Sequence, residues 1–352
     1  SARAKSLTFS GLQASKIRLK TIFQNDTLFL NNFSIQNIEG VQSKISGGIS
    51  GLSPTTASLD PFFNNLVIDV KGKSLARVLK LAKIKSSLPL HQIGPIRLIA
   101  KINGKPGRLD IDANLKARQG QFKVKGELGA FMLNPSIKGK VTLVHPDFPR
   151  LLNSFGAKYR PSASRLGGVN LTSTLDASSN SAKFNGITGK IAGLTLEGNL
   201  DIRLDQQRPL IDANLTTSIV NIDRFLPRKG TSLSSNKLNG QLVLRPNASG
   251  KLLHHVSWPQ SLGSRERKID FNRLLVAKNK SYERWSTSPI NLHYFNDFDA
   301  NVKFQTPRLT HGRVKVDHLN LNVSLKDGIA NIRKATGKAY NGDLKIEGYI
   351  NA

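Results

Sequence analysis

The chain has 352 residues, with 52 Lys+Arg against 23 Asp+Glu, a formal net charge of +29 and no Cys. So large a positive charge points to an anionic partner such as nucleic acid, phospholipid headgroups or lipopolysaccharide, and the lack of Cys excludes disulfides and thiolate metal sites. No run of about 18 apolar residues occurs, so nothing in the sequence spans a bilayer as a helix.

Read from the N-terminus, the chain shows no signal peptide and opens on Ser1-Ala2-Arg3. It closes on Asn351-Ala352, within a strand-like stretch, so it is expected to be a fragment of a longer membrane-anchored protein whose N-terminal segment has been removed. The Gly-rich run Ser46-Gly47-Gly48-Ile49-Ser50-Gly51 lacks the GK[ST] of a phosphate-binding loop and reads as a strand bend. Leu75, Val78, Leu79 and Ala82 fall at i, i+3, i+4 and i+7, which predicts an amphipathic helix over 74–86. Its basic residues, Lys73, Arg77, Lys80, Lys83 and Lys85, are candidates for contact with headgroups at a membrane surface. The alternative for this helix is a plug at the end of a sheet.

From residue 109 onward, period-two alternation dominates. Leu109-Asp110-Ile111-Asp112-Ala113-Asn114-Leu115-Lys116-Ala117 alternates without a break, as does Leu194 through Leu204. Further alternating runs are Phe122 to Leu128, Ile137 to Leu143, Leu238 to Leu244, Leu319 to Leu325 and Leu344 to Ile350. Such runs predict antiparallel strands with one apolar and one wet face. Turn signals separate them at Asn103-Gly104, Lys326-Asp327-Gly328 and Asn341-Gly342-Asp343. Pro146 to Phe155 reads as a shorter helix, 222–226 as a single turn, and 261–280 as a loop with some helix.

A weak internal repeat runs through the first two thirds of the chain. Pro61, Pro135 and Pro209 are spaced 74 residues apart. Each is followed by a strand-like run and then by a similar block: Leu75-Ala76-Arg77-Val78-Leu79, Phe148-Pro149-Arg150-Leu151-Leu152 and Ile222-Asp223-Arg224-Phe225-Leu226. Each is preceded by a Gly-bearing strand, at Gly51, Gly126 and Gly198. A fixed period of this kind predicts stacked units sharing one apolar surface. The expected organisation is a repeated β region over 1–260, a linker over 261–284 and a C-terminal β region over 285–352.

The C-terminal stretch carries an ordered set of motifs: Trp285-Ser286-Thr287-Ser288-Pro289-Ile290, Phe298-Asp299-Ala300-Asn301-Val302, Leu325-Lys326-Asp327-Gly328, and Tyr340-Asn341-Gly342-Asp343-Leu344-Lys345-Ile346-Glu347-Gly348. In this order it resembles the AsmA-like family of bacterial envelope proteins, related to the TamB group. The resemblance covers residues 285–352, about a fifth of the chain. It implies an elongated β-groove rooted in the inner membrane that carries glycerophospholipids through the periplasm. Residues 1–284 match in style, as Gly-punctuated alternating strands with short helices.

The expected fold is therefore mainly β: a long, twisted antiparallel sheet curled into an elongated, taco-like groove with a few short helices. A β-sandwich is the alternative. The predicted groove lining is the apolar parity of the strands: Leu109, Ile111, Phe122, Val124, Leu194, Leu196, Leu200, Val302, Phe304, Leu321, Val323, Leu344 and Ile346. The seven His residues show no metal spacing and read as exposed, and the six Glu residues form no carboxylate pair. No enzyme chemistry, metal or cofactor is expected. Basic residues are spread along the chain and aromatics are only 7%, which disfavours nucleic acid. The expected partners are phospholipids or other anionic envelope lipids, together with envelope proteins. The alternative function is a non-enzymatic outer-membrane protein assembly factor acting through its strand edges.

Overall fold

A computed structural model of the chain describes residues 1–9, 12–52, 60–81, 93–129, 134–155, 159–226 and 297–351. The N-terminal part runs β1 (Ala2–Phe9), β2 (Leu12–Gln24), β3 (Thr27–Ile38), β4 (Val41–Ser50) and β5 (Phe62–Gly72), then α1 (Leu75–Leu81). Next come β6 (Ile96–Lys105), β7 (Arg108–Ala117), β8 (Gly120–Gly129) and β9 (Ser136–His145), then α2 (Phe148–Ser154). β10 (Val169–Ala177), β11 (Ser181–Ile191), β12 (Leu194–Arg203), β13 (Leu210–Thr217) and the two-residue β14 (Val220–Asn221) lead into a 3₁₀ turn at Ile222–Arg224. The last four strands are β15 (Asp299–His311), β16 (Val314–Lys326), β17 (Ile329–Ala339) and β18 (Gly342–Asn351).

All 18 strands belong to one sheet. From β1 to β13 each strand pairs antiparallel with the next in the chain. β13 and β14 then pair with β15 in parallel, and the antiparallel meander resumes through β18. The one parallel step departs from the all-antiparallel expectation. A parallel neighbour needs a connection long enough to return along the strand, and residues 225–298 separate β15 from the 3₁₀ turn. Thr306 Oγ1 seals the break between β13 and β14 by donating to the Ser218 carbonyl at 2.8 Å. Among the described residues β1 pairs only with β2 and β18 only with β17, so the sheet is not closed into a barrel. The described strands form this one sheet, and no second sheet of a sandwich faces it among the described residues.

The three prolines at 74-residue spacing stand at matching places. Pro61, Pro135 and Pro209 each precede the first residue of a strand, where the missing N–H removes no ladder bond. Each of these strands leads to a helical element: α1, α2 and the 3₁₀ turn. From Pro61 and from Pro135 the chain makes one strand, one helix and three more strands. Four strands return the chain to its starting side, so the helical elements all fall on one rim of the sheet. α2 spans part of the predicted Pro146–Phe155 segment and is capped by Asp147, whose carboxylate accepts from the Arg150 N–H at 2.8 Å. α1 covers part of the predicted 74–86 helix; residues 82–92 lie outside the described residues, as do Leu238 to Leu244, the 261–280 segment and the Trp285–Ile290 motif.

Glycine lets neighbouring strands approach where the sheet bends. Gly198 in β12 has φ +149°, and a Cβ there would strike the backbone of Asn214 and Leu215 in β13. Gly126 and Gly139 face each other across β8 and β9, each occupying space that the other's side chain would need. Gly198→Ala is therefore expected to cost about 2 kcal/mol or more and to lower the melting temperature by several degrees. Gly107→Ala, in a turn with open space around the new methyl, is expected to change it little. Thermal melts followed by circular dichroism check both.

Candidate functional site

The register turns local alternation into a continuous apolar face. Residues directly opposite on paired strands share a face. One row runs Leu109, Leu128, Ile137, Ala177, Ala182, Ile202, Ile211, Ala300, Leu325 and Ala330, crossing from β7 to β17 without a polar side chain. A second runs Leu66, Ile102, Ile111, Gly126, Gly139, Leu175, Phe184, Leu200, Ala213, Val302, Val323 and Ile332. On the N-terminal side a third joins Ala2, Leu19, Phe33, Ile45, Ile68, Ala100, Ala113, Val124 and Val141.

All the side chains predicted to line a groove lie on this one face. Leu109 and Val124 are buried, Val124 within a cluster with Val141 and Leu175 against which Ile111, Phe122 and Phe184 pack. Leu194, Leu196, Leu200, Val302, Phe304, Leu321, Val323 and Leu344 are half-buried. Ile346 is 45% exposed on β18, which pairs only with β17 among the described residues. A second small cluster forms at Ala300, Leu325 and Ala330, flanked by Ile211 and Val302. No large side chain among the described residues is fully buried. These contacts join neighbours within the sheet; the small clusters are buried, while most of the remaining apolar side chains of the face are only half-buried.

Several residues of the face escape a reading by alternation alone. In β3 a register shift between Leu30 and Phe33 inserts an extra residue and breaks the period in Leu28-Phe29-Leu30-Asn31-Asn32-Phe33. A second irregularity in β3, against β2, and one in β5, against both β4 and β6, break the period in the same way, so Ile68 shows up only through pairing with Ile45 and Ala100. The β2–β3 hairpin carries exposed Ile22, Phe23 and Phe29 near its tip.

α1 sits at the rim end of the apolar face. Val78 stands over Gly72, beside Ile96. Its cations are largely engaged: Arg77 Nη1 donates to the Glu39 carbonyl at 3.0 Å, and Lys80 pairs with the Glu39 carboxylate at 3.3 Å. Lys73 is exposed just ahead of the helix, while Lys83 and Lys85 lie outside the described residues.

The opposite face is polar and laced with ion pairs. Asp212 accepts from Asn301 Nδ2 at 2.7 Å and from Arg203 Nη2 at 2.6 Å, and Lys183 stands 3.7 Å from Asp201. No group of three or more His, Asp or Glu among the described residues is placed to hold a metal. Of the histidines, His145 departs from the expected exposure. It is only 7% exposed, and its Nδ1 accepts from the Asp147 N–H at 3.1 Å, which builds the turn into α2. No helix among the described residues is long and apolar enough to cross a membrane. Compared with known proteins, the chain matches no family model, no curated protein and no solved structure.

The hydrogen bond from Asn301, with desolvation opposing it and Arg203 adding to it, holds the Asp212 carboxyl below its ordinary value of 3.8. A carboxyl depressed on folding contributes stability above its unfolded value and loses it as pH falls through the folded value. Wild type is therefore expected to exceed Asn301→Ala in stability at pH 6, with the gap narrowing below about pH 4. Denaturant titrations across the acid range check this.

Proposed function

We propose that the uncovered apolar face holds the acyl chains of phospholipids or related envelope lipids, and that the protein carries them between the inner and outer membranes of a bacterial envelope. One observation carries the reading: the unbroken apolar rows that cross the sheet with no second layer over them among the described residues. An exposed apolar surface much beyond a few hundred Å² marks a ligand or membrane site in a soluble protein. At about 4.8 Å per strand, the ladder extends on the order of 70 Å along its hydrogen-bond direction. That is several times the roughly 15 Å of one leaflet's hydrocarbon, so the face can hold several acyl chains in series. The reading assigns no catalytic step and no cofactor. Transfer follows mass action or a partner in the envelope. It agrees with the resemblance of the C-terminal motifs to the AsmA-like family.

Photo-crosslinking probes at Leu196 and Val323 are expected to label lipid, while probes at Glu197 and Asn322 on the other face are not. Leu196→Asp or Val323→Asp places an unpaired charge on the acyl path, at a cost of several kcal/mol to the bound chain. Lipid recovered with the protein should then fall while the β spectrum persists. Equal labelling of both faces, or none at either, overturns the reading.

A second reading rests on the open edges. β1 is exposed along residues 2–8, and among the described residues β1 and β18 each have a paired strand on one side only. Such edges can receive a strand from another chain, as an outer-membrane assembly factor would require. Crosslinks from edge residues to a client strand, without lipid labelling at Leu196, would favour it.

A further inference from the structure

We propose that the polar face carries, at the rim bearing α1 and α2, a binding site for the phosphate groups of an anionic phospholipid bilayer. The site lies on the opposite face from the acyl-chain surface and does not rest on that reading. It begins with a register that is unfavourable by itself. Lys71 of β5, Arg97 of β6 and Lys116 of β7 stand directly opposite one another, so three exposed cations form one cross-strand row. Like charges so placed repel and destabilise a sheet. Asp69 relieves only part of this, taking Arg97 through two bonds of 3.1 and 2.7 Å.

Lys71 and Lys116 form no ion pair among the described residues, nor do Lys73 and Arg118, which follow them towards the rim. The nearby acid, Glu39, is already engaged by Lys80. These cations surround a depression of about 490 Å³ whose remaining lining is Gly40, Gln42, Gly72, Pro95 and Ile96, with no carboxylate. Arg118 is held there by its turn: its N–H donates to the Pro95 carbonyl at 3.4 Å, and its side chain lies against Gly94.

The opposite rim shows that this arrangement is not forced by the composition. There Lys105 pairs with Asp60, Arg108 with Glu127 and Lys138 with Asp176. Cations concentrated on one rim, unneutralised and repelling one another, fit a partner that supplies negative charge as a layer. Anionic headgroups do so, each nearby Lys or Arg strengthening the attraction severalfold. The depression has no aromatic side chain on which a base could stack, which single-stranded nucleic acid would call for.

The test is flotation of the chain with vesicles of phosphatidylglycerol mixed into phosphatidylcholine, against phosphatidylcholine alone. Binding is expected only to the anionic vesicles and should weaken with salt. The double variant K71E/K116E should bind at least about tenfold more weakly. Because it sets Glu on both sides of Arg97, its melting temperature should equal or exceed that of wild type, which separates lost binding from lost folding. K71Q/K116Q provides the same test without new charge. K105E/K138E alters net charge equally at the other rim and should bind nearly as wild type does. Equal loss in both reversed doubles, or equal binding to both kinds of vesicle, overturns the site. Displacement by inorganic phosphate, at an ionic strength where chloride has no effect, would assign the site to free phosphate and overturn the bilayer. Binding of a single-stranded oligonucleotide with the same sensitivity to K71E/K116E, with no vesicle binding, would overturn it in favour of nucleic acid.

Discussion

In-register pairing of like parity is the constraint on which the rest depends. Side chains alternate faces along a strand, so slipping one strand by a residue would turn its apolar set to water and its charges onto the apolar face. The sheet avoids this across many successive pairings. Where a strand carries an extra residue, a bulge absorbs it. Phe184 and Ile187 of β11 are three apart in sequence, yet they face Leu200 and Gly198 of β12, two apart. Ile332 and Ala335 of β17 face Gly348 and Ile346 in the same manner. Each bulge also bends its strand and increases the local twist. The devices that preserve parity thus also curve the surface that parity creates.

The rims follow from the same meander. Helical elements recur after every fourth strand and therefore always on the same side. That rim is knitted by contacts between loops: the Tyr159 hydroxyl donates to the Phe225 carbonyl at 2.7 Å, and Asp223 accepts from the Gly312 N–H at 2.8 Å. The opposite rim is held by short turns and by ion pairs that bridge adjacent strands. Exposed pairs of this kind each contribute little to stability. At the α1 rim the corresponding row of Lys71, Arg97 and Lys116 has one carboxylate, Asp69, to offset it.

The two faces divide the chemistry. The apolar face is stabilised by contacts between side chains on neighbouring strands, as in the Val124, Val141 and Leu175 cluster and the Ala300, Leu325 and Ala330 cluster. Among the described residues no second layer packs over them. A second sheet would have buried them and closed the site. A barrel would have satisfied the edges of β1 and β18. Among the described residues the open sheet does neither, and it leaves one long apolar surface and two strand edges without a paired neighbour.

Much of this was legible in the sequence where the period was clean. Leu109 to Ala117 and Leu194 to Leu204 alternate without interruption, and both are regular strands whose apolar parity lies on the shared face. The prolines at 74-residue spacing marked strand starts, and the segment Pro146 to Phe155 marked a short helix that contains α2. Local rules sufficed there because the alternation, the proline and the short helix are each set within a few residues. What lay beyond them depended on neighbours distant in sequence. The N-terminal part of the apolar face was hidden by bulges, whose positions are set by the partner strand. The burial of His145 was hidden because it depends on how β9 turns into α2. The cationic row was hidden because Lys71, Arg97 and Lys116 come from three strands, and nothing local makes them adjacent. The parallel step from β13 to β15 was equally a matter of which edge the returning chain met. Sequence alone determined that the strands would have one apolar face and one charged face, because that is a property of period two. Only the tertiary structure decided that those faces would join into a single open sheet and that Lys71, Arg97 and Lys116 would meet in one row near its rim, because register between distant strands is a collective outcome that no single strand encodes.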